Sequence, residues 1–313
     1  VPHLPPEGLV RRIKNDKVDV LIELAGMTHN HRHGALLFRP APVQVTYLGW
    51  PGTTGNPSID YRIVDSRTDP AGAESHCCER LVRLNPCFLC FRPPADAPEP
   101  GASAWGSGAD AGARPFTLGS FNAQTKISPR VMRAWARILA GAPGSRLLVK
   151  NGALFNERVR ERVRAWFVEA GADPHRLELL PWSAAREHHL ALYDRVDLAL
   201  DPFPYPGGTT TVEALWMGVP VLTLRGDRFL SHIGESIARN TGLADWIAGD
   251  ADDYVAKAVR LSSNPRQLAT LRTGLRRQVL DSPVFDAPRF ARHFEHALWG
   301  MWDSLQTTRG HSA

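Results

Sequence analysis

The chain has 313 residues, 43% hydrophobic and 22% charged, which is enough for two domains of ordinary globular composition. Its formal net charge of +5 is modest and its basic residues are scattered, so no nucleic-acid-binding arm is expected and an anionic small ligand is accommodated. No apolar run is long enough to span a bilayer, and the start, Val1-Pro2-His3-Leu4-Pro5-Pro6, lacks the layout of a signal peptide. With no initiator methionine, the sequence reads as beginning inside a longer protein, and a cytoplasmic location is expected.

In chain order, Val18–Leu24 is a buried strand stopped by Gly26. His29, His31 and His33 follow in a segment read as a solvated loop, because alternate residues share a face only on a strand. Further strands are predicted at Val43–Leu48, ending at Gly49-Trp50-Pro51-Gly52, and at Tyr61–Val64. Four cysteines do not make a disulfide framework in a chain of this length. Cys87-x-x-Cys90 is surrounded by Phe88, Leu89 and Phe91, which suits buried thiols better than a zinc knuckle, so no metal site is expected. The run from Pro93 to Pro115 is rich in Pro, Ala and Gly and reads as a linker or surface loop.

Beyond it, strands and helices alternate. Strands are predicted at Phe116–Phe121, Arg146–Lys150, Leu177–Leu180, Asp197–Leu200 and Val219–Leu224. Helices are predicted at Pro129–Ala140, Glu157–Ala170, Arg186–Tyr193 and about Thr210–Met217, with a helical remainder from Phe229 to Trp302. This is the pattern of a parallel sheet covered on both faces, where ligands bind beyond the carboxyl ends of the strands.

Three candidate elements follow strands. Pro206-Gly207-Gly208-Thr209-Thr210-Thr211-Val212-Glu213 combines glycines that admit close backbone approach, hydroxyl donors and a helix N-terminus suited to phosphate. Thr210-x-x-Glu213 equally fits a capping box that needs no ligand. Lys126, near Asn122 and just past a strand, is placed to neutralise a phosphate or to be a solvated charge. His188 and His189 can contact a base or sit solvated on a helix.

Phe121-Asn122-x-x-x-Lys126-Ile127-x-Pro129, Trp135-Ala136-Arg137-Ile138-Leu139 and Asp201-x-Phe203-Pro204-Tyr205-x-Gly207-Gly208-Thr209-Thr210-Thr211-x-Glu213-Ala214-Leu215-Trp216-Met217-Gly218 carry a resemblance. So do Arg39-Pro40-Ala41-Pro42-Val43-Gln44-Val45 and Leu48-Gly49-Trp50-Pro51-Gly52-Thr53-Thr54-Gly55 upstream. From about Val18 to Trp302 the chain resembles the catalytic region of the protein O-GlcNAc transferase and SPINDLY family.

The resemblance implies an α/β, GT-B type fold with one complete Rossmann-like C-terminal lobe and an incomplete N-terminal lobe. The expected division is 1–92 for the partial first lobe, 93–115 for the linker, 116–283 for the nucleotide-sugar lobe and 284–313 for a C-terminal helix and tail. It also implies inverting, metal-independent and cofactor-free transfer of a sugar from a nucleotide sugar to Ser or Thr hydroxyls of an acceptor protein or peptide. UDP-GlcNAc is the first-choice donor. GDP-fucose is the second, because Gly208 and the triple threonine are closer to SPINDLY-like and bacterial members. Carried over, Lys126 is the catalytic residue that stabilises the leaving diphosphate. Asn122, Gly207, Gly208, Thr209, Thr210, Thr211 and Glu213 bind the donor, with Glu213 on the ribose; His189 best matches the histidine that contacts the base, and His188, one residue off, is the alternative. Leu48, Gly49 and Pro51 line the sugar side. A first strand and an acceptor-linked histidine stretch are expected upstream. A tetratricopeptide region is expected there too, since the chain itself has no repeat of about 34 residues.

Overall fold

A computed structural model describes residues 4–95, 97–101, 114–183 and 185–310, and the chain divides into two compact units. The predicted linker at 93–115 falls largely on residues 96 and 102–113, which lie outside the described residues.

Unit 1 comprises Val1–Cys90 with Asp286–Ala313. Its elements are α1 (Pro6–Asn15), β1 (Val20–Glu23), α2 (His33–Leu36), β2 (Val43–Thr46), β3 (Tyr61–Asp65) and β4 (Arg80–Leu84). The four strands are parallel in the order β1-β2-β3-β4. Three elements of unit 1 are not predicted from the sequence: α1, β4 and the short α2. In α1, a proline opens the first turn and Leu9 and Ile13, one turn apart, are buried. In β4, Arg80-Leu81-Val82-Arg83-Leu84 interleaves charged and apolar residues, which masks its apolar content. His33 lies in the short helix α2, not in a loop, and its ring is buried beside Glu23.

Unit 2 is Phe91–Phe285. In chain order it holds β5 (Thr117–Ser120), α3 (Pro129–Gly141), β6 (Arg146–Lys150), α4 (Glu157–Glu169), β7 (Leu177–Leu180), α5 (Arg186–Ala191) and β8 (Leu198–Leu200). There follow α6 (Thr209–Trp216), β9 (Val221–Leu224), α7 (Phe229–Asn240), β10 (Ile247–Ala248), α8 (Ala251–Ser262) and α9 (Pro265–Leu280). The six strands are all parallel in the order β10-β9-β8-β5-β6-β7, the order reversing between β5 and β8. The two-residue β10, paired with Thr223 and Leu224, interrupts the stretch read as helical; two residues carry no detectable periodicity.

The core of unit 2 is continuous. Leu118, Leu147, Val149, Leu198, Leu200 and Leu222 of the sheet pack with Trp135, Ile138, Phe167 and Tyr254 from the covering helices. Near-continuous apolar strands are what a sheet buried on both faces requires. In α3, Ser128 accepts a hydrogen bond from Val131 N and Pro129 opens the first turn, so the helix starts abruptly after the loop that carries Lys126.

The last helix, α10 (Ala287–Gly310), belongs to unit 1. Met301 is buried against Val43, Val45, Tyr61, Ile63 and Leu84, with Phe290, Phe294 and Leu298 beside it. The sequence reading set residues 284–313 apart as a helix and tail; the helix covers one face of the unit 1 sheet.

Candidate donor site

The site in unit 2 is built at the carboxyl ends of β5, β6 and β8, beside the reversal of strand order, where an open parallel sheet leaves a crevice. The chain leaving β8 begins with Asp201, which is fully buried. Its Oδ1 accepts hydrogen bonds from Gly207 N and from Thr211 Oγ1, both at 3.0 Å, so one carboxylate folds the loop back on itself. Burial pushes the Asp201 carboxyl up from its ordinary value; the two hydrogen bonds and the Lys126 charge act in the opposite sense. Gly207 has no space for a side chain, since a Cβ there would collide with the hydroxyls of Thr210 and Thr211, whereas Gly208 faces open space.

Lys126 ends a short 3-10 turn after β5. Its Nζ donates to Pro206 O at 2.8 Å and stands 3.8 Å from the centre of the Tyr205 ring. Thus the ammonium reaches the start of the glycine–threonine turn. Burial lowers the Lys126 pKa, and the Asp201 charge partly offsets this. Asn122, also after β5, is buried; its Oδ1 accepts from Thr210 Oγ1 at 3.1 Å, a second tie between the two loops. Ser120, Asn122, Asp201, Thr210 and Thr211 line one crevice.

Helix α6 starts at Thr209 with Gly208 as its N-cap, and no side chain caps it. Thr210 is therefore inside the first turn, and the capping box does not form. The Glu213 carboxylate turns instead to His189, its Oε2 lying 3.2 Å from Nε2. Arg186 approaches the other oxygen at 3.7 Å. His189 also packs against Phe121 and Tyr193, with ring centres 5.8 and 5.7 Å away. Its neighbour His188 is exposed. Of the two histidines, the helix brings His189 into the cluster.

Three residues here were given no role from sequence. Asp201 holds the turn and Tyr205 underlies the ammonium. Lys150, at the end of β6, is only 2% exposed and sits 2.6 Å from His189 Nδ1. A lysine closing the apolar run Leu147-Leu148-Val149 is the same signal that singled out Lys126, and it was available.

Leu48, Gly49 and Pro51 lie in unit 1, in the loop beyond the carboxyl end of β2. Leu48 has φ of 69° and is 52% exposed. Gly49 is fixed by close approach, since a Cβ there would strike the Leu24 carbonyl, and Pro51 is buried. The carboxylate of Glu79, at the start of β4, ties the loop down by accepting from Thr54 N at 2.7 Å and Thr53 Oγ1 at 2.8 Å.

Two Rossmann-like parallel sheets, one carrying a lysine and a glycine–threonine turn at its strand ends, make this a protein of the GT-B fold. It shares that fold with a mutant of the Thermobaculum terrenum O-GlcNAc transferase, with a TM-score of 0.89 and 34% identity, over 97% of this chain and 57% of that one. A sucrose-phosphate synthase from Thermosynechococcus elongatus shares the fold at 13% identity and a TM-score of 0.68, over 96% of this chain and 77% of that one. The chain belongs to glycosyl transferase family 41, whose profile matches residues 7–91 and 115–294. A relative named probable UDP-N-acetylglucosamine–peptide N-acetylglucosaminyltransferase SPINDLY, from Solanum lycopersicum, is 42% identical over 291 residues, covering 93% of this chain and 31% of its own length. An Arabidopsis thaliana relative named probable UDP-N-acetylglucosamine–peptide N-acetylglucosaminyltransferase SEC is 29% identical over 307 residues, covering 97% of this chain and 31% of its own length. The chain spans about a third of the length of these curated relatives.

Proposed function

We propose that this chain is the donor-binding part of an inverting O-glycosyltransferase that moves a sugar from a nucleotide sugar to Ser or Thr hydroxyls of proteins. UDP-GlcNAc is the donor of first choice and GDP-fucose the second. The observation that carries the reading is the contact of Lys126 Nζ with Pro206 O, at the edge of the Gly207–Thr211 turn. A cation, backbone amides, hydroxyls and the N-terminus of α6 all lie beyond the carboxyl ends of β5 and β8, a combination that suits a diphosphate.

In this reading the diphosphate replaces Pro206 O as the partner of Lys126. The acceptor oxygen bonds to the anomeric carbon as the bond from that carbon to the diphosphate breaks, with inversion. The leaving diphosphate takes the electron pair, Lys126, the Thr209 hydroxyl and the backbone amides of Thr209, Thr210 and Thr211 stabilise its charge, and the hydroxyl proton is released. The lysine supplies the positive charge, so no metal ion or cofactor is required. Glu213 binds the ribose hydroxyls, and Leu48, Gly49 and Pro51 contact the sugar.

Calorimetric titration with UDP and GDP, followed by transfer assays with UDP-GlcNAc and GDP-fucose, tests this. One nucleotide should bind, and Lys126→Met should weaken it by about 100-fold, as expected for loss of a charged partner worth about 3 kcal/mol. Because burial disfavours the charged lysine, the same variant should melt no lower than the parent. Absence of binding by both nucleotides sinks the proposal. Binding without transfer would leave this chain a nucleotide-binding part without transfer activity of its own.

A further inference from the structure

Both ring nitrogens of His189 are engaged. Lys150 Nζ lies 2.6 Å from Nδ1 and Glu213 Oε2 lies 3.2 Å from Nε2. An ammonium donates and cannot accept, so Nδ1 is the acceptor. The ring proton is then on Nε2, where it donates to the carboxylate. The three groups come from three elements: Lys150 from β6, His189 from α5 and Glu213 from α6. Among the described residues, His189 is the hydrogen-bond partner of Lys150.

We infer that Lys150 is a positioning residue of the donor site: it fixes the tautomer and orientation of His189, which in turn aims the Glu213 carboxylate. This rests on the donor-site reading above. Two consequences follow. With both nitrogens occupied, His189 meets a nucleobase with its ring face or edge, beside Phe121 and Tyr193, instead of through a ring nitrogen. With Oε2 committed to His189, Glu213 presents Oε1 to a ligand hydroxyl, Arg186 standing 3.7 Å from that oxygen, beyond hydrogen-bond distance. Lys150 itself is too deeply buried to touch the nucleotide, so it acts through the imidazole.

The test uses Lys150→Met, which keeps the length of the side chain and removes the donor, with His189→Phe, which keeps a ring and removes both nitrogens. In the free wild type, the 15N spectrum of labelled histidine should show an acceptor-type Nδ1 and a protonated Nε2 for His189, assigned by its loss in His189→Phe. In Lys150→Met that pair of signals should move toward a mixture of tautomers. Affinity for whichever of UDP or GDP binds the parent should fall about 5- to 10-fold in each single variant, the scale of one hydrogen bond. In the double variant it should fall no further, because the two residues act as one unit. Unchanged affinity in Lys150→Met, while Lys126→Met weakens binding about 100-fold, overturns the role of Lys150 and leaves the donor site standing. Additive losses or an unaltered histidine signature also overturn it. If the parent binds neither nucleotide, the donor site itself falls, and the inference with it.

Discussion

Asp201 has a cost and a use. Its raised pKa means that the folded state binds the proton more tightly than the unfolded chain, so folding loses free energy as pH rises above the ordinary value of 3.8. Asp201→Asn keeps an oxygen for Gly207 N and Thr211 Oγ1 and removes the buried charge. The variant should melt higher than the parent at neutral pH, with the difference shrinking toward pH 3; an equal shift at all pH values would mean that charge burial is not the cause. The adjacent glycines give a sharper contrast. Gly207→Ala forces a methyl group into the Thr210 and Thr211 hydroxyls and should cost about 1–3 kcal/mol in urea unfolding. Gly208→Ala meets open space and should stay within about 0.5 kcal/mol of the parent. The motif text marked both glycines alike; only the folded loop separates one constrained by neighbours from one with space around it. The adjacent histidines are alike by helix pattern, because adjacent residues differ by only part of a turn in phase; the resemblance favoured His189, and the folded helix turns His189 into the cluster.

Secondary-structure elements were legible where periodicity or apolar content was strong. β6 and β7 were read with their observed limits, and α3 and α4 to within a residue or so, since each is an apolar run or begins at a cap. β4 and α1 were missed because charged residues fill their exposed positions, and β10 because it is too short to have a pattern. The start of α6 was read one residue late, and this is what made Thr210 look like a cap. The role of α10 was not readable from local sequence at all, since its partners Val43 and Leu84 are more than two hundred residues away. Met301→Ala should therefore destabilise unit 1 by about 2–4 kcal/mol, the usual cost of a cavity at a buried methionine. Hydrogen exchange should show lost protection in β2, β3 and β4, and a loss confined to α10 itself would argue that the helix does not support the sheet.

At the scale of the molecule, the α/β class and the parallel sheets followed from βα alternation, while the family came from motifs spread over both units. The candidate residues fall in both: the lysine, threonines and acidic residue lie in unit 2, and Leu48, Gly49 and Pro51 lie in unit 1. Unit 2 is also closed at its base: Phe91 N donates to Val284 O at 2.8 Å and the rings of Phe91 and Phe285 meet edge to face. Its two chain crossings therefore lie side by side, and the whole unit is an insertion into unit 1. On a ribosome this imposes a schedule. The four strands of unit 1 emerge before unit 2, but the helix that shields one face of them is translated only after it, so that face stays bare, and open to chaperones or to a neighbouring nascent chain, until the entire inserted unit has been made.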